Sequence, residues 1–103
     1  MKIVAVSACV AGIAHTYLVK EKLIEAAKER GHEIHVETQG VIGQEDKIPE
    51  KFLQEADVVI LATDVSISGR NRFDGKKIIE VPTKTVVQNS VALIKRIEQL
   101  LEE

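Results

Sequence analysis

A single cysteine, Cys9, lies in a short loop between two stretches of different pattern. The run from Ile3 to Val6 before the loop is apolar and rich in β-branched residues, which predicts a buried strand. After the loop, apolar residues recur at helical spacing from Val19 to Ala27. A thiol between a strand and the start of a helix is a candidate nucleophile, because loop N–H groups and the helix dipole stabilise a thiolate. The same donors stabilise a phosphoryl group, so we expect capture of a phosphoryl or similar oxyanion group.

The residues after the cysteine form the candidate anion cradle. His15 has three open interpretations, namely a general acid, an anion ligand or a polar residue that caps the helix. Thr16 fits a helix cap better than a chemical role, although its hydroxyl can serve both. A lone cysteine is often a small buried hydrophobe, but a position at the mouth of the loop favours reactivity. The predicted phosphate-binding residues are Val10, Ala11, Gly12, Ile13, Ala14, His15 and Thr16.

Two other kinds of site were weighed. Cysteine-dependent phosphatases and arsenate reductases also place their nucleophile between a first strand and a first helix, in the pattern Cys-x5-Arg. Here the sixth residue after Cys9 is His15, so the loop lacks the bidentate arginine clamp for a transferring phosphoryl group. A metal site is not expected, because Cys9, His15, His32 and His35 belong to separate elements, and His32 and His35 fit solvated strand positions. No cofactor is predicted.

The elements that must position the loop alternate along the chain. A helix ending at Gly31 is followed by a strand from His32 to Thr38, a short helix from Ile48 to Ala56 and a buried strand from Val58 to Ala62. A polar loop from residue 64 to 75, a strand from residue 77 to 81 and a long amphipathic helix capped by Thr83 complete the order. This alternation predicts an α/β three-layer sandwich in which helices flank both faces of a four-stranded parallel sheet. In such folds ligands bind at the carboxyl ends of strands, where Cys9 falls.

Length and composition limit the function classes. The 103 residues form one predicted domain, 1–103, and the net charge of −2 with only three aromatic residues argues against nucleic acid as a partner. One cysteine allows no intramolecular disulfide, which fits a reducing, cytoplasmic location. The apolar run from Ile3 to Val6 is too short for a signal peptide cleaved before Cys9.

Several segments together resemble a known family. The sequence Cys9 with Gly-Ile-Ala-His-Thr at 12–16, Val-Glu-Thr-Gln-Gly at 36–40, the strand segment at 56–62 and Arg-Phe with Gly-Lys at 72–76 are similar to the fructose-type IIB component of the bacterial phosphoenolpyruvate-dependent sugar phosphotransferase system. The resemblance covers nearly the whole chain in consistent order. The family's fold is a four-stranded parallel sheet flanked by helices, in agreement with the order above.

The resemblance implies a phosphotransferase that works through a phosphocysteine intermediate. Cys9 would accept a phosphoryl group from a phosphohistidine on a IIA partner and pass it to a sugar, fructose or a related hexose, delivered by a membrane-embedded IIC permease. The protein would then be cytoplasmic and transiently at the inner face of the membrane. Arg72 is expected to contribute positive charge, and Glu37 and Gln39 either line the partner surface or support a turn built on glycines.

One position departs from the family pattern, and two function classes remain as alternatives. Where the family usually has Cys-Pro-Thr-Gly, this chain has Cys9-Val10-Ala11-Gly12, which loosens the loop and removes one hydroxyl that can bond phosphate. Backbone donors survive both changes. The alternatives are a small cysteine-dependent phosphatase or arsenate-reductase-like enzyme, and a noncatalytic regulatory module that binds a partner through the loop.

Overall fold

The computed structural model describes residues 1–10, 13–40 and 43–102, without the side chain of residue 13. Five strands form one sheet: β1 (Lys2–Ala8), β2 (Glu33–Gly40), β3 (Gly43–Glu45), β4 (Val58–Thr63) and β5 (Ile78–Val81). The helices are α1 (Ile13–Glu29), α2 (Glu50–Glu55) and α3 (Thr83–Glu102), and a 3₁₀ turn spans Arg70–Phe73. Ala11 and Gly12 of the predicted cradle lie outside the described residues.

The strand order is β3-β2-β1-β4-β5, and four of the five strands are parallel. This confirms the predicted α/β class, but the sheet has a fifth strand that the sequence did not predict. β3 pairs antiparallel with β2 through Thr38 and Glu45. It escaped prediction because its three residues, Gly-Gln-Glu, contain no apolar side chain whose alternation signals a strand.

Helices cover both faces of the sheet, as predicted. On one face Ile3 and Ala5 of β1 belong to a core shared with buried residues of α1 and α3. On the other face Val4 and Val6 pack with Leu53 of α2 and residues near the 3₁₀ turn. Because β1 is buried on both faces, its side chains are apolar at successive positions, and this removes the alternation expected of a half-exposed strand.

β1 is the central strand, and its parallel neighbours are β2 on one side and β4 on the other. The chain adds its strands first on one side of β1 and then on the other. β1 extends to Ala8, two residues beyond the predicted run that ends at Val6, so Cys9 follows the strand directly. Thr83 does not cap α3 with its side chain as predicted. Its Oγ1 and N–H instead donate to the Asp64 carboxylate, at 2.6 and 3.0 Å, which joins the loop after β4 to the start of α3.

At the end of the sheet away from Cys9, Glu98 of α3 connects the end of α1 to the start of β2. Its carboxylate accepts two hydrogen bonds from Arg30, at 2.7 and 3.1 Å, and lies 2.6 Å from His32 Nε2. His32 is therefore paired with Glu98, whereas the sequence predicted a solvated position for it. Hydrogen bonds from Arg30 and then His32 lower the pKa of Glu98 to about 2.

The Glu98 pairing predicts a pH-dependent contribution to stability. Because the native pKa lies below the ordinary value of 4.5, the contribution is complete above about pH 5 and is lost as the pH falls towards 2. Glu98→Gln should lower the thermal midpoint at pH 7, and its difference from the unsubstituted protein should shrink between pH 5 and pH 3. Glu25→Gln, which changes an exposed carboxylate on α1, is the control. A Glu98→Gln difference that stays constant over this pH range contradicts the assignment.

Candidate functional site

Cys9 sits at the carboxyl end of the central strand and is only 5% exposed. The first turns of α1 bring two polar groups to its sulfur: His15 Nδ1 and Thr16 Oγ1 each lie 3.1 Å from Sγ. The Ser7 hydroxyl donates to the Thr16 carbonyl at 3.1 Å and so ties this turn to β1. The sulfur therefore lies beside two side chains that can donate hydrogen bonds and near the positive end of the α1 dipole.

These contacts narrow the sequence interpretations of His15 and Thr16. Thr16 is 4% exposed and lies inside α1, which begins at Ile13, so its hydroxyl serves the sulfur rather than the end of the helix. His15 is half-buried with a ring nitrogen at the sulfur, as an anion ligand or proton donor requires. Val10 is 80% exposed beside the thiol.

A cleft of about 460 Å³ opens beside the thiol. One side is formed by the end of β1 with Cys9 and Val10, and the other by the ends of β2 and the loop after β4. The cleft is open enough for a group on a partner protein to enter. Its lining residues are Ala8, Cys9, Val10, Gln39, Gly40, Val65, Ser66 and Ser68.

Beneath the cleft, Glu37 is fully buried and its carboxylate accepts four hydrogen bonds. Arg72 donates two of them in a bidentate pair, Nη1 to Oε1 at 2.8 Å and Nη2 to Oε2 at 2.6 Å. Gln39 Nε2 donates at 2.9 Å and the Ile48 N–H at 3.0 Å. Burial by itself raises the pKa of Glu37, but the hydrogen bonds from Arg72, Gln39 and Ile48 outweigh it and lower the pKa. Glu37 is therefore a permanent carboxylate at neutral pH.

Arg72 is held by more than this ion pair. Its guanidinium carbon lies 4.6 Å from the centre of the Phe73 ring, a cation–π contact. Gly69 has a left-handed backbone, φ +74°, and a Cβ there would lie 3.4 Å from Arg72 Nε, so glycine suits both the turn and the packing. The positive charge of Arg72 is thus committed to Glu37.

The structure places the three predicted auxiliary residues in one network. Glu37 has no exposed surface with which to touch a partner, and Arg72 is 18% exposed in its side chain. Gln39 is the member that reaches the cleft. Burial therefore rules out, for Glu37, the first of the two predicted alternatives, which was lining a partner surface. The pairing with Arg72 escaped prediction because an alternating strand pattern cannot show a partner 35 residues away in sequence.

Two features of the site were not predicted. Asp64 directly follows β4, and its N–H donates to the Ala8 carbonyl at 2.9 Å, next to the cysteine. Hydrogen bonds from the Thr83 side chain and N–H lower the pKa of Asp64, and the charge of His15 contributes to the same shift. Ser66 and Ser68 form the far wall of the cleft. Polar residues at the carboxyl end of a buried parallel strand were the available signal.

Among the described residues, no three His, Cys, Asp or Glu side chains group as metal ligands.

The sequence of this chain is similar to those of known proteins from one family. A family model described as "PTS system, Lactose/Cellobiose specific IIB subunit" matches residues 4–102. The chain is 43% identical over 102 residues to the PTS system fructose-like EIIB component 2 of Escherichia coli K12, covering 99% of this chain and 96% of that protein. It is 41% identical over 102 residues to the PTS system fructose-specific EIIB component of Haloferax volcanii, covering 99% of this chain and 64% of that protein's length.

A solved structure agrees with these matches. The solution structure of an Enzyme IIB subunit of the PTS system from Escherichia coli K12 superposes with a TM-score of 0.92 at 32% identity, covering 98% of this chain and 94% of that one. The fold and the matches together place the chain in the phosphotransferase class. The chain belongs to the IIB family of the sugar phosphotransferase system and is similar to its fructose-like members, as the sequence motifs predicted.

The Glu37–Arg72 pair predicts a large effect of removing one charge. Arg72→Met leaves an uncompensated buried carboxylate, so we expect a loss of about 3–5 kcal/mol in the free energy of unfolding, measured with urea. The matched control is Arg70→Met, which removes an arginine paired with Glu80 on the surface and should cost about 1 kcal/mol or less. Equal costs for the two variants contradict the assignment of Glu37–Arg72 as the interior pair that holds the site.

Proposed function

We propose that this protein is a phosphoryl carrier that accepts a phosphoryl group on Cys9 from a phosphohistidine of a IIA partner. The carrier then passes the group to a sugar, fructose or a related hexose, taken up through a membrane-embedded IIC partner. The observation that carries the proposal is the placement of Sγ within 3.1 Å of both His15 Nδ1 and Thr16 Oγ1 at the start of α1. Membership of the IIB family supports it.

The transfer step requires only a nucleophile and anion donors. The Cys9 thiolate attacks phosphorus, the S–P bond forms as the N–P bond of the donor histidine breaks, and the electron pair of that bond remains on the donor ring nitrogen. The donor ring leaves as neutral imidazole when its other nitrogen carries a proton. His15, Thr16 and the backbone of the other predicted phosphate-binding residues, 10–14, then hold the phosphoryl oxygens. In the second transfer a sugar hydroxyl oxygen attacks phosphorus, the O–P bond forms as the S–P bond breaks, and the electron pair of that bond returns to sulfur as the Cys9 thiolate. The hydroxyl proton is released to solvent.

The arrangement fits a carrier better than a phosphatase. In hydrolases of this layout an arginine of the loop clamps the phosphoryl group, and position 15 here is histidine. Arg72 does not substitute for it, because both of its terminal nitrogens bind Glu37. A carrier needs a phosphocysteine that survives water until the acceptor arrives, and the absence of the clamp suits that need.

Exposed apolar side chains near the site support docking on partner proteins. Among the described residues, the large apolar side chains that are exposed belong to segments that follow β1 and β4: Val10, Tyr17, Leu18 and Val65. Val10 and Val65 line the cleft itself. Apolar surface beside a reactive group favours protein contact over contact with water.

No helix among the described residues has the length and apolar character to cross a membrane. We place the carrier in the cytoplasm, where it visits IIC at the inner membrane face.

The first test is phosphorylation by a phosphorylated IIA donor. The protein should gain one phosphoryl group, seen as an increase in intact mass, and Cys9→Ser should gain none at the same donor concentration because serine is not ionised at neutral pH. Cys9→Ser must show an unchanged circular dichroism spectrum. Label retained on His15 in that variant defeats the proposal. Steady release of phosphate from an aryl phosphate, dependent on Cys9, would favour the phosphatase instead. The absence of any phosphoryl transfer would favour the noncatalytic module.

Docking through the exposed valine gives a second test. Val10→Glu replaces apolar contact area with a negative charge that repels a phosphorylated donor, so the donor concentration at half-maximal rate should rise about tenfold. Gln99→Glu adds the same charge to an exposed position on α3 and is the matched control. Both variants should keep the circular dichroism spectrum and the thermal midpoint of the unsubstituted protein. An unchanged donor concentration for Val10→Glu contradicts a docking role for this surface.

A further inference from the structure

The far wall of the Cys9 cleft is a segment without regular secondary structure. It follows β4 and includes Val65, Ser66 and Ser68. No sheet ladder fixes this segment relative to Cys9, because β4 ends at Thr63. Its distance from the thiol therefore depends on side-chain contacts made along the segment.

Gln39 makes the contact nearest the serines. Its Oε1 accepts from the Ser68 N–H at 2.8 Å and its Nε2 donates to the Ser68 carbonyl at 3.0 Å. This pair of bonds reproduces with one side chain what a neighbouring strand does in a ladder. Gln39 itself pairs in register with Ala8, the residue before Cys9. One side chain thus connects the backbone beside the thiol to the opposite wall.

The orientation of the Gln39 amide is determined by its surroundings. The Ser68 N–H requires an oxygen, while the Ser68 carbonyl and the Glu37 carboxylate both require N–H donors. Arg72 and the Ile48 N–H hold Glu37 in place from the other side. Because these groups are all satisfied only in one arrangement, they fix the orientation of the amide and its bonds to the Ser68 main chain.

The wall opposite the thiol contains two serines. Ser66 and Ser68 are both exposed and line the cleft with Cys9. The hydrogen bonds of Ser68 to Gln39 use its main chain, so its hydroxyl is not required for them. A phosphoryl group on Sγ has three oxygens, and His15 and Thr16 approach the sulfur from α1. A phosphoryl group enclosed on both sides needs further donors on the opposite wall.

We propose that Gln39 is a positioning residue that holds the wall formed by Ser66 and Ser68 across from Cys9, and that the two serine hydroxyls bind the transferred phosphoryl group. This inference rests on the proposed function, since it presumes a phosphoryl group on Cys9. The buried Glu37–Arg72 pair acts through Gln39 and does not itself touch the phosphoryl group.

The experiment measures phosphoryl transfer from a phosphorylated IIA donor over a range of donor concentrations, well below the thermal midpoint. Gln39→Ala should lower the maximal rate at least about tenfold, with the half-saturating donor concentration changed less than about threefold. Alkylation of Cys9 by iodoacetamide should stay within about twofold, which shows that the thiol loop is intact. The matched control is Gln44→Ala. Gln44 is an exposed glutamine of β3 that pairs with Gln39 of β2, and this variant should transfer at the normal rate.

A second variant tests the serines without disturbing the clamp. The double substitution Ser66→Ala and Ser68→Ala keeps the main-chain bonds to Gln39 and should also lower the maximal rate about tenfold. It decides the question alone if Gln39→Ala does not fold. A normal maximal rate in either folded variant overturns the proposal, as does a loss of alkylation parallel to the loss of transfer. If Cys9→Ser still accepts the group on another residue, the proposed function fails first, whatever these variants do.

Discussion

The buried carboxylate of Glu37 is the constraint on which the site depends. A charged group without exposed surface is stable only when donors replace the water it has lost. Glu37 obtains them from Arg72, from Gln39 and from the N–H of Ile48. These donors come from β2, from the segment before α2 and from the 3₁₀ turn after β4, so satisfying one carboxylate fixes three separate pieces of chain beneath the cleft.

The two sides of the cleft are supported differently. On the thiol side, Cys9 directly follows β1, and α1 brings His15 and Thr16 to the sulfur, so regular secondary structure sets the geometry. On the opposite side, Gln39 connects the charged network to Ser68. A nucleophile placed by secondary structure and a facing wall held by side chains suit the proposed carrier, whose thiol receives a phosphoryl group from a protein and gives it to a sugar.

Much of this architecture was predictable from the sequence because it depends on local patterns. Apolar runs located the parallel strands, and the single cysteine after the first of them located the site. The burial of Glu37 was not predictable, since its position in an alternating strand is typical of a solvent-facing residue and Arg72 is distant in sequence. β3 was missed because a strand of Gly-Gln-Glu has no hydrophobic pattern. Contacts between distant residues, rather than element types, account for what the sequence did not show.

The proposed function requires that the sulfur of Cys9 carries the phosphoryl group. The most direct measurement is the ³¹P NMR spectrum of the protein after incubation with a phosphorylated IIA donor and removal of that donor. The account predicts one protein-bound resonance in the chemical-shift range of S-alkyl phosphorothioates, and its absence from Cys9→Ser. A resonance in the phosphoramidate range, from phosphorus bonded to a histidine nitrogen such as that of His15, would contradict the account.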